Sequence, residues 1–230
     1  MKRFYKEAEA QPHGDGWMVM LDGRAVKTPS KREVAMPTRG LAEAVAQEWA
    51  VQGDEIDMDA MPLTRFSGIA CDVMVDKRDD ILADIGAYGL SDLLCYRGDE
   101  EALQTRQREQ WDPVLAWAAE YLHLPLECTI GVMPMAQPDG TSERVQAVLG
   151  QLDQWQLTGV AILTKHTGSL VLALAGLYEA YDAPQMVAIA QLDEIYQAER
   201  WGDDAEAEAH RADKASEIEA AMQFLRLIKG

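Results

Sequence analysis

The 230-residue sequence has little of what would announce a chemistry. Its three cysteines, Cys71, Cys95 and Cys128, stand far apart and form no CxxC. That excludes a disulfide scaffold and fits a reducing compartment. The longest apolar run, Leu170–Leu177, has eight residues, where a bilayer-spanning helix needs about 20. Behind the positive charges of Met1-Lys2-Arg3-Phe4-Tyr5-Lys6-Glu7 no apolar core follows, so neither a secretory signal nor a transit peptide is expected. A cytoplasmic, non-membrane protein is the expectation. Phosphate-cradling GxxxxGK[ST], a GxGxxG following a strand and a GxSxG elbow are all missing. His13, His123, His166 and His210 are scattered, with no second His or Cys at ligand spacing. Asp57-Met58-Asp59 and Asp79-Asp80 lack the Gly and Glu offsets of a calcium loop and read as solvated loop acids. Ser169, after Thr167-Gly168, reads as a helix start. No catalytic residue, metal, cofactor or nucleotide site is therefore expected.

Basic residues are also scarce: 21 Lys+Arg against 39 Asp+Glu give a net charge of −18. Such a chain repels phosphate backbones and anionic membrane surfaces, so nucleic acid is an unlikely partner on physical grounds. The deficit is uneven. Residues 1–40 hold eight basic and five acidic groups, net +3, so the rest of the chain is more acidic than the whole. At 48 % hydrophobic and 26 % charged, the composition is that of a folded globular protein.

The first sixty residues read as strands and turns. Asp22-Gly23 between two apolar stretches is the strongest short hairpin signal. A two-residue turn there sets Leu21 opposite Arg24, Val19 opposite Val26 and Trp17 opposite Thr28. Trp17, Val19 and Val26 form the expected core face, with Met18 and Met20 on the other. An earlier strand is expected over 3–9 and a later one over 33–36. Thr38 is placed to cap a helix over 39–52, whose buried stripe is Leu41, Val45 and Trp49. From Thr64 the signals are helical: 64–75, 77–94, 100–110, 112–122, 142–154, 157–165, 168–181, 184–201 and 204–229. In this scheme Asp112 caps, and Pro113 opens, a new helix. One extended piece, 127–135, is free to return to the first sheet. The expected fold is α+β, with a small β-rich α/β domain over 1–63 and a larger, orthogonal-bundle-like all-helical domain over 64–230.

The chemistry-bearing cluster lies late. Ten acids fall between Asp193 and Glu219, including Glu194, Asp203, Asp204, Glu206 and Glu208. On a 184–201 helix, Met186, Ile189, Asp193, Tyr196 and Arg200 share one stripe. Asp193 is thereby set in an apolar face, where a carboxylate needs a partner or a water-filled opening. An internal contact, a partner-binding acid and a catalytic acid all remain open for it. The acidic, Ala-rich first half of the last helix lacks large apolar residues, whereas Ile218, Met222, Leu225 and Ile228 give its second half a packing stripe. The first half is thus free to face a partner. Trp17, Trp49 and Trp111 occupy positions suited to core packing.

Several blocks together carry a resemblance. They are Arg3-Phe4-Tyr5-Lys6, Leu21-Asp22-Gly23-Arg24-Ala25-Val26-Lys27-Thr28-Pro29, Leu41-Ala42-Glu43-Ala44-Val45-Ala46-Gln47-Glu48-Trp49 and Met61-Pro62-Leu63-Thr64-Arg65. Asp92-Leu93-Leu94-Cys95-Tyr96-Arg97, Gln110-Trp111-Asp112-Pro113 and Gln197-Ala198-Glu199-Arg200-Trp201-Gly202 continue them. In this order the chain resembles the assembly chaperones for the alpha subunit of the F-type ATP synthase head, found in mitochondria and alphaproteobacteria. The resemblance implies transient binding of the unassembled alpha subunit, protection from aggregation and replacement by the beta subunit, without nucleotide chemistry. It implies a bacterial cytoplasmic location, with the mitochondrial matrix for eukaryotic relatives. Asp193, Glu194, Gln197, Trp201, Asp204 and Glu206 are the expected partner-binding residues. The alternative is an enzyme using Asp193 or Glu194 as general base in an inter-domain cleft.

Overall fold

Asp22 and Gly23 both take positive φ, 47° and 77°, as a type I′ hairpin turn requires. The turn joins β2 (Gly16–Leu21) to β3 (Arg24–Ala25), with Leu21 opposite Arg24 and Met20 opposite Ala25 as expected. Val26 N donates to Val19 O at 2.9 Å, extending the register. The computed structural model describes residues 1–202 and 204–230.

β1 (Ala8–His13) pairs antiparallel with all of β2, giving the order β1-β2-β3. It starts later than the expected 3–9 strand and runs through Pro12, leaving only Gly14-Asp15 as the turn. An edge strand tolerates the missing N–H of a proline. Trp17 does not face Thr28. It exchanges two hydrogen bonds with Met36, at 2.9 and 2.7 Å, so 33–36 contributes isolated bridges in place of a strand. Met18, expected outside the core, is buried beside Val19 and Leu21, while Trp17 and Val26 are only half-buried. Consecutive buried residues mean that both faces of β2 are covered, which removes the in-out alternation.

α1 (Arg39–Ala50) packs on β1 and β2. Thr38 caps it by accepting from Leu41 N, and Leu41, Val45 and Trp49 are buried as expected. The Tyr5 hydroxyl donates to Trp49 O at 2.7 Å, and the two rings meet edge-on at 5.6 Å. Glu48 caps α2 (Pro62–Cys71) from outside, accepting from Leu63 N and Thr64 N at 2.7 Å each. Burial raises the Glu48 pKa, and these bonds oppose the rise. A short α3 (Val73–Asp76) follows.

The chain clusters into two compact units. The first comprises Met1–Arg78, Asp153–Gly159 and Gln223–Gly230; the second comprises Asp79–Leu152 and Val160–Met222. Position 63/64, the expected boundary, falls inside the first unit. Phe66 on α2 stands edge-on to Phe224 at 5.8 Å, and Phe224 also lies 6.1 Å from Trp155, so distant segments complete this core.

In the second unit, α4 (Arg78–Tyr88) and a 3-10 turn, Leu93–Cys95, lead to β4 (Tyr96–Arg97). Next come α5 (Glu101–Tyr121), β5 (Thr129–Ile130) and α6 (Thr141–Gly150). α7 (Gln154–Thr167) contributes to both units, as does the last helix, α11 (Ala205–Leu227). Between them lie α8 (Leu170–Leu177), α9 (Ala183–Ala190) and α10 (Leu192–Trp201). Three expectations are corrected here. First, 100–122 is one helix passing through Pro113. Its buried stripe of Leu103, Gln107, Trp111, Val114 and Ala118 continues across the proline, and Asp112 bonds to Arg97 instead of capping. Burying that stripe outweighs the ~3 kcal/mol that an interior proline costs. Second, 184–201 breaks at Gln191. Third, β5 pairs parallel with β4 and does not return to the first sheet, so this unit is not wholly helical. Every residue of α8 is buried, and α8 packs on α5 and α9. A Cβ on Gly176 would lie 2.7 and 2.8 Å from the sulfurs of Met186 and Met222, so any larger residue here would have to push those two side chains aside. The architecture is α+β.

Candidate functional site

α10 is held by polar contacts on two sides. Toward α5, Gln107 Nε2 donates to Asp193 Oδ1 at 2.7 Å, and Arg106 meets Glu199 at 2.6 Å. The Tyr196 hydroxyl donates to Glu100 Oε2 at 2.9 Å, and Arg200 pairs with the same carboxylate. Just before the break, Ile189 O accepts from the buried Trp111 indole at 3.0 Å. Toward α11, Lys214 meets Glu194 at 2.7 Å, and Gln191 Nε2 donates to Arg211 O at 2.7 Å. The stripe read from the sequence therefore faces α5 even though its helix is broken.

Asp193 is half-buried. Burial raises its pKa, and the Gln107 hydrogen bond and the Arg97 charge work against the rise. Gln107 is fully buried, and its own oxygen accepts from Gly98 N at 2.9 Å. Asp193 and Glu194 thus stand in internal contacts. Gln197, Trp201, Asp204 and Glu206 are all exposed, Trp201 by 68 %. Ile195 is exposed as well, and the Arg200 guanidinium lies 5.6 Å from the Trp201 ring. Gly202, at φ 87°, ends α10. Asp204 accepts from Ala207 N at 2.8 Å and so caps α11, while Asp203 lies outside the described residues. Glu206, Glu208 and Asp213 are exposed on the first half of α11, whereas Ile218, Phe224 and Leu225 are buried on the second. What emerges is an exposed aromatic ring, Trp201, at the end of α10, followed by an acidic half-helix. Trp49 and Trp111 are buried, and Trp17 is half-buried beneath Arg39, 5.5 Å from its ring.

Glu100, Arg106 and Gln107, which set the pose of α10, escaped the sequence reading. The signal for Glu100 and Gln107 is the spacing 100, 104, 107 and 111, one polar stripe leading into Trp111, while Arg106 has none. A cleft of about 570 Å³ in the first unit was missed as well; Val19, Val26, Val45, Trp49, Thr28 and Arg65 help line it. Among the described residues no group of three His, Cys, Asp or Glu could hold a metal ion, and no helix is long and apolar enough to cross a membrane.

This architecture is that of a class of chaperone proteins. It is similar to the crystal structure of Atp12 from Paracoccus denitrificans, with 39 % identity, a TM-score of 0.92 and coverage of 99 % of this chain and 98 % of that one. An aspartate-to-lysine mutant of the same Atp12p matches equally, at 39 % and 0.92. Atu1473 from Agrobacterium tumefaciens is 35 % identical with a TM-score of 0.92, covering 98 % of this chain and 85 % of that one. The mitochondrial protein atp12 of Schizosaccharomyces pombe is 25 % identical over 214 residues, 87 % of this chain and 74 % of that protein. The chain itself belongs to the ATP12 chaperone protein family, whose sequence model matches residues 2–119.

Proposed function

We propose that this protein is an assembly chaperone of the F-type ATP synthase. In this reading it binds the unassembled alpha subunit, keeps it from aggregating and yields it to the beta subunit, in the bacterial cytoplasm. Membership of the ATP12 chaperone family supports the assembly role. The observation that carries the binding site is the pairing of an exposed Trp201 with the exposed acids of the first half of α11. An aromatic anchor beside charge suits a protein contact, and a small, polar-rimmed contact suits a partner that must later be displaced. Asp193 and Glu194, engaged with Gln107 and Lys214, support the surface from within, which favours a structural use over a general base.

Gel filtration of purified alpha subunit with this protein, then with beta added, tests the reading. Co-elution with alpha, followed by release when beta arrives, is the expected result. A complex that retains the protein would make it a permanent scaffold, and no complex at all would end the proposal. The surface is tested by Glu206→Lys and Trp201→Ala, both at exposed positions where folding stability should change by no more than about 0.5 kcal/mol. Both variants should lose protection of the alpha subunit in an aggregation assay. Full protection by both would move the site elsewhere. Glu194→Lys is unsuitable, because it would set two lysines against each other at Lys214.

A further inference from the structure

The β4–β5 pairing has a chemical consequence. Tyr96 lies opposite Thr129 and Arg97 opposite Ile130, so the preceding register position sets Cys95 beside Cys128. Neighbouring strands lie about 4.8 Å apart, within the Cα separation of about 4.4–6.8 Å that a disulfide spans. Cys95 is buried, whereas Cys128 is exposed. Arg97, only 7 % exposed, points Nη2 at Cys128 Sγ from 3.5 Å and shares that nitrogen with Asp112. Its Nη1 is buried and has no hydrogen-bond partner among the described residues. A cavity of about 760 Å³ opens at Cys128, with Arg97, Gln104, Arg108, Asp112 and Thr129 among its walls. A nucleophile, a resolving thiol, two guanidinium groups and an open cavity thus meet in one place.

We propose that Cys128 is a thiol-modification site, with Cys95 as its resolving thiol, and that it reacts with anionic, carboxylate-bearing low-molecular-weight disulfides. The Cys128 thiolate attacks one sulfur of the small disulfide, forming a mixed disulfide and expelling one thiolate, which takes a proton from water. Once the Cys128 thiolate is consumed, Cys95 releases its proton to water, and its thiolate attacks the Cys128 sulfur and expels the second small thiolate, which takes up a proton. The protein dithiol loses two electrons, and the small disulfide gains them as two thiols. Carboxylates of the reagent meet Arg108 at the cavity wall, where its Nη2 is shared with Glu101 at 2.7 Å, in the field of the buried Arg97. The acidity of the whole chain does not forbid this, since charges beyond about 8 Å are largely screened at physiological salt.

The electrostatics agree with the geometry. The hydrogen bond from Cys95, then the bond and charge of Arg97, lower the Cys128 thiol to about 6, against burial and Asp112. Cys95 is raised, first by that hydrogen bond, then by burial and Asp92, and stays protonated.

The test uses the full chain, oxidised glutathione as anionic probe, cystamine as cationic control, and peptide mass spectrometry. Buried Cys71, raised to about 11, serves as the internal reference. The parent should end with a Cys95–Cys128 disulfide and no retained glutathione. Cys95→Ser should hold glutathione on Cys128; Cys95→Ala does the same work where a hydroxyl at the buried site impairs folding. Cys128→Ser should lose reaction by about tenfold or more. The rate should reach half its plateau near pH 6, shifted from about 8.5 for a free cysteine. Oxidised glutathione should outpace cystamine, and Arg108→Ala should narrow the gap. A midpoint near that of free cysteine, or no glutathione retained on Cys128 when Cys95 is replaced, would overturn the proposal.

Discussion

Asp92 illustrates what one residue can carry. It is fully buried, accepting from Leu94 N at 3.1 Å and from Val171 N at 3.0 Å, and so ties the 3-10 turn to the start of α8. Burial pushes its pKa up to about 6, against the hydroxyl of Ser169 and the backbone N–H groups that hold it down. An unfolded aspartate titrates near 3.9, so the native state binds this proton more tightly. The contribution is therefore whole below about pH 4 and is lost as pH rises through about 6, on the order of 3 kcal/mol at most. Glu48 and Asp193, also raised by burial, act in the same direction. Asp22, held low by the Glu7 and Lys6 backbone N–H groups, acts oppositely and below pH 4. Comparing parent with Asp92→Asn isolates the one group: in urea melts between pH 4 and 7 the parent should lose more stability than the variant. Parallel profiles would show that Asp92 is ionised at no cost.

At the scale of elements, α5 is the frame of the second unit, meeting α8, α10, β4 and the 3-10 turn. Its flaw is Pro113, an exposed residue inside a continuous helix. There the ring denies Glu109 O a donor and strains the preceding turn. Proline also restricts the unfolded chain, worth about 0.4–1 kcal/mol in the opposite sense. The balance predicts that Pro113→Ala stabilises the protein by about 2–2.5 kcal/mol. Thermal or urea unfolding measures it, and a loss of stability would mean that the proline shapes the α5 axis that α10 requires. α11 divides its work differently: its acidic N-terminal half stays exposed while its C-terminal half packs.

Over the whole molecule, charge is the dominant statistic. A net charge of −18 concentrated beyond residue 40 favours encounter with a basic partner surface. Such fields raise association rates more than final affinities, which on the proposed function suits a transient complex. The association rate with the alpha subunit should fall about tenfold or more between about 0.02 and 0.5 M salt, while dissociation changes little. Stopped-flow fluorescence of Trp201 is a convenient readout, since this ring is exposed. A salt-independent rate would mean that the acids take no part, leaving Trp201 and the cleft of the first unit as candidates for the contact.

The sequence by itself determined the parts whose causes are local. Asp22-Gly23 dictates its turn and the β2–β3 register, Thr38 and the Leu41/Val45/Trp49 stripe define α1, and the apolar run 170–177 can only be buried. The split polarity of α11 was legible for the same reason: its first half carries acids and alanines, and its second half carries the apolar stripe. Tertiary structure alone decided that α5 runs through Pro113, that a helix breaks at Gln191, that Thr129–Ile130 pairs with Tyr96–Arg97, and that Phe224 joins Phe66. It also decided that Asp193 and Glu194 turn inward, to Gln107 and Lys214. Each of these depends on a partner between 20 and 158 positions away or on burial summed over several elements, and the free energy of such contacts exceeds the roughly 1 kcal/mol preferences that a local pattern expresses.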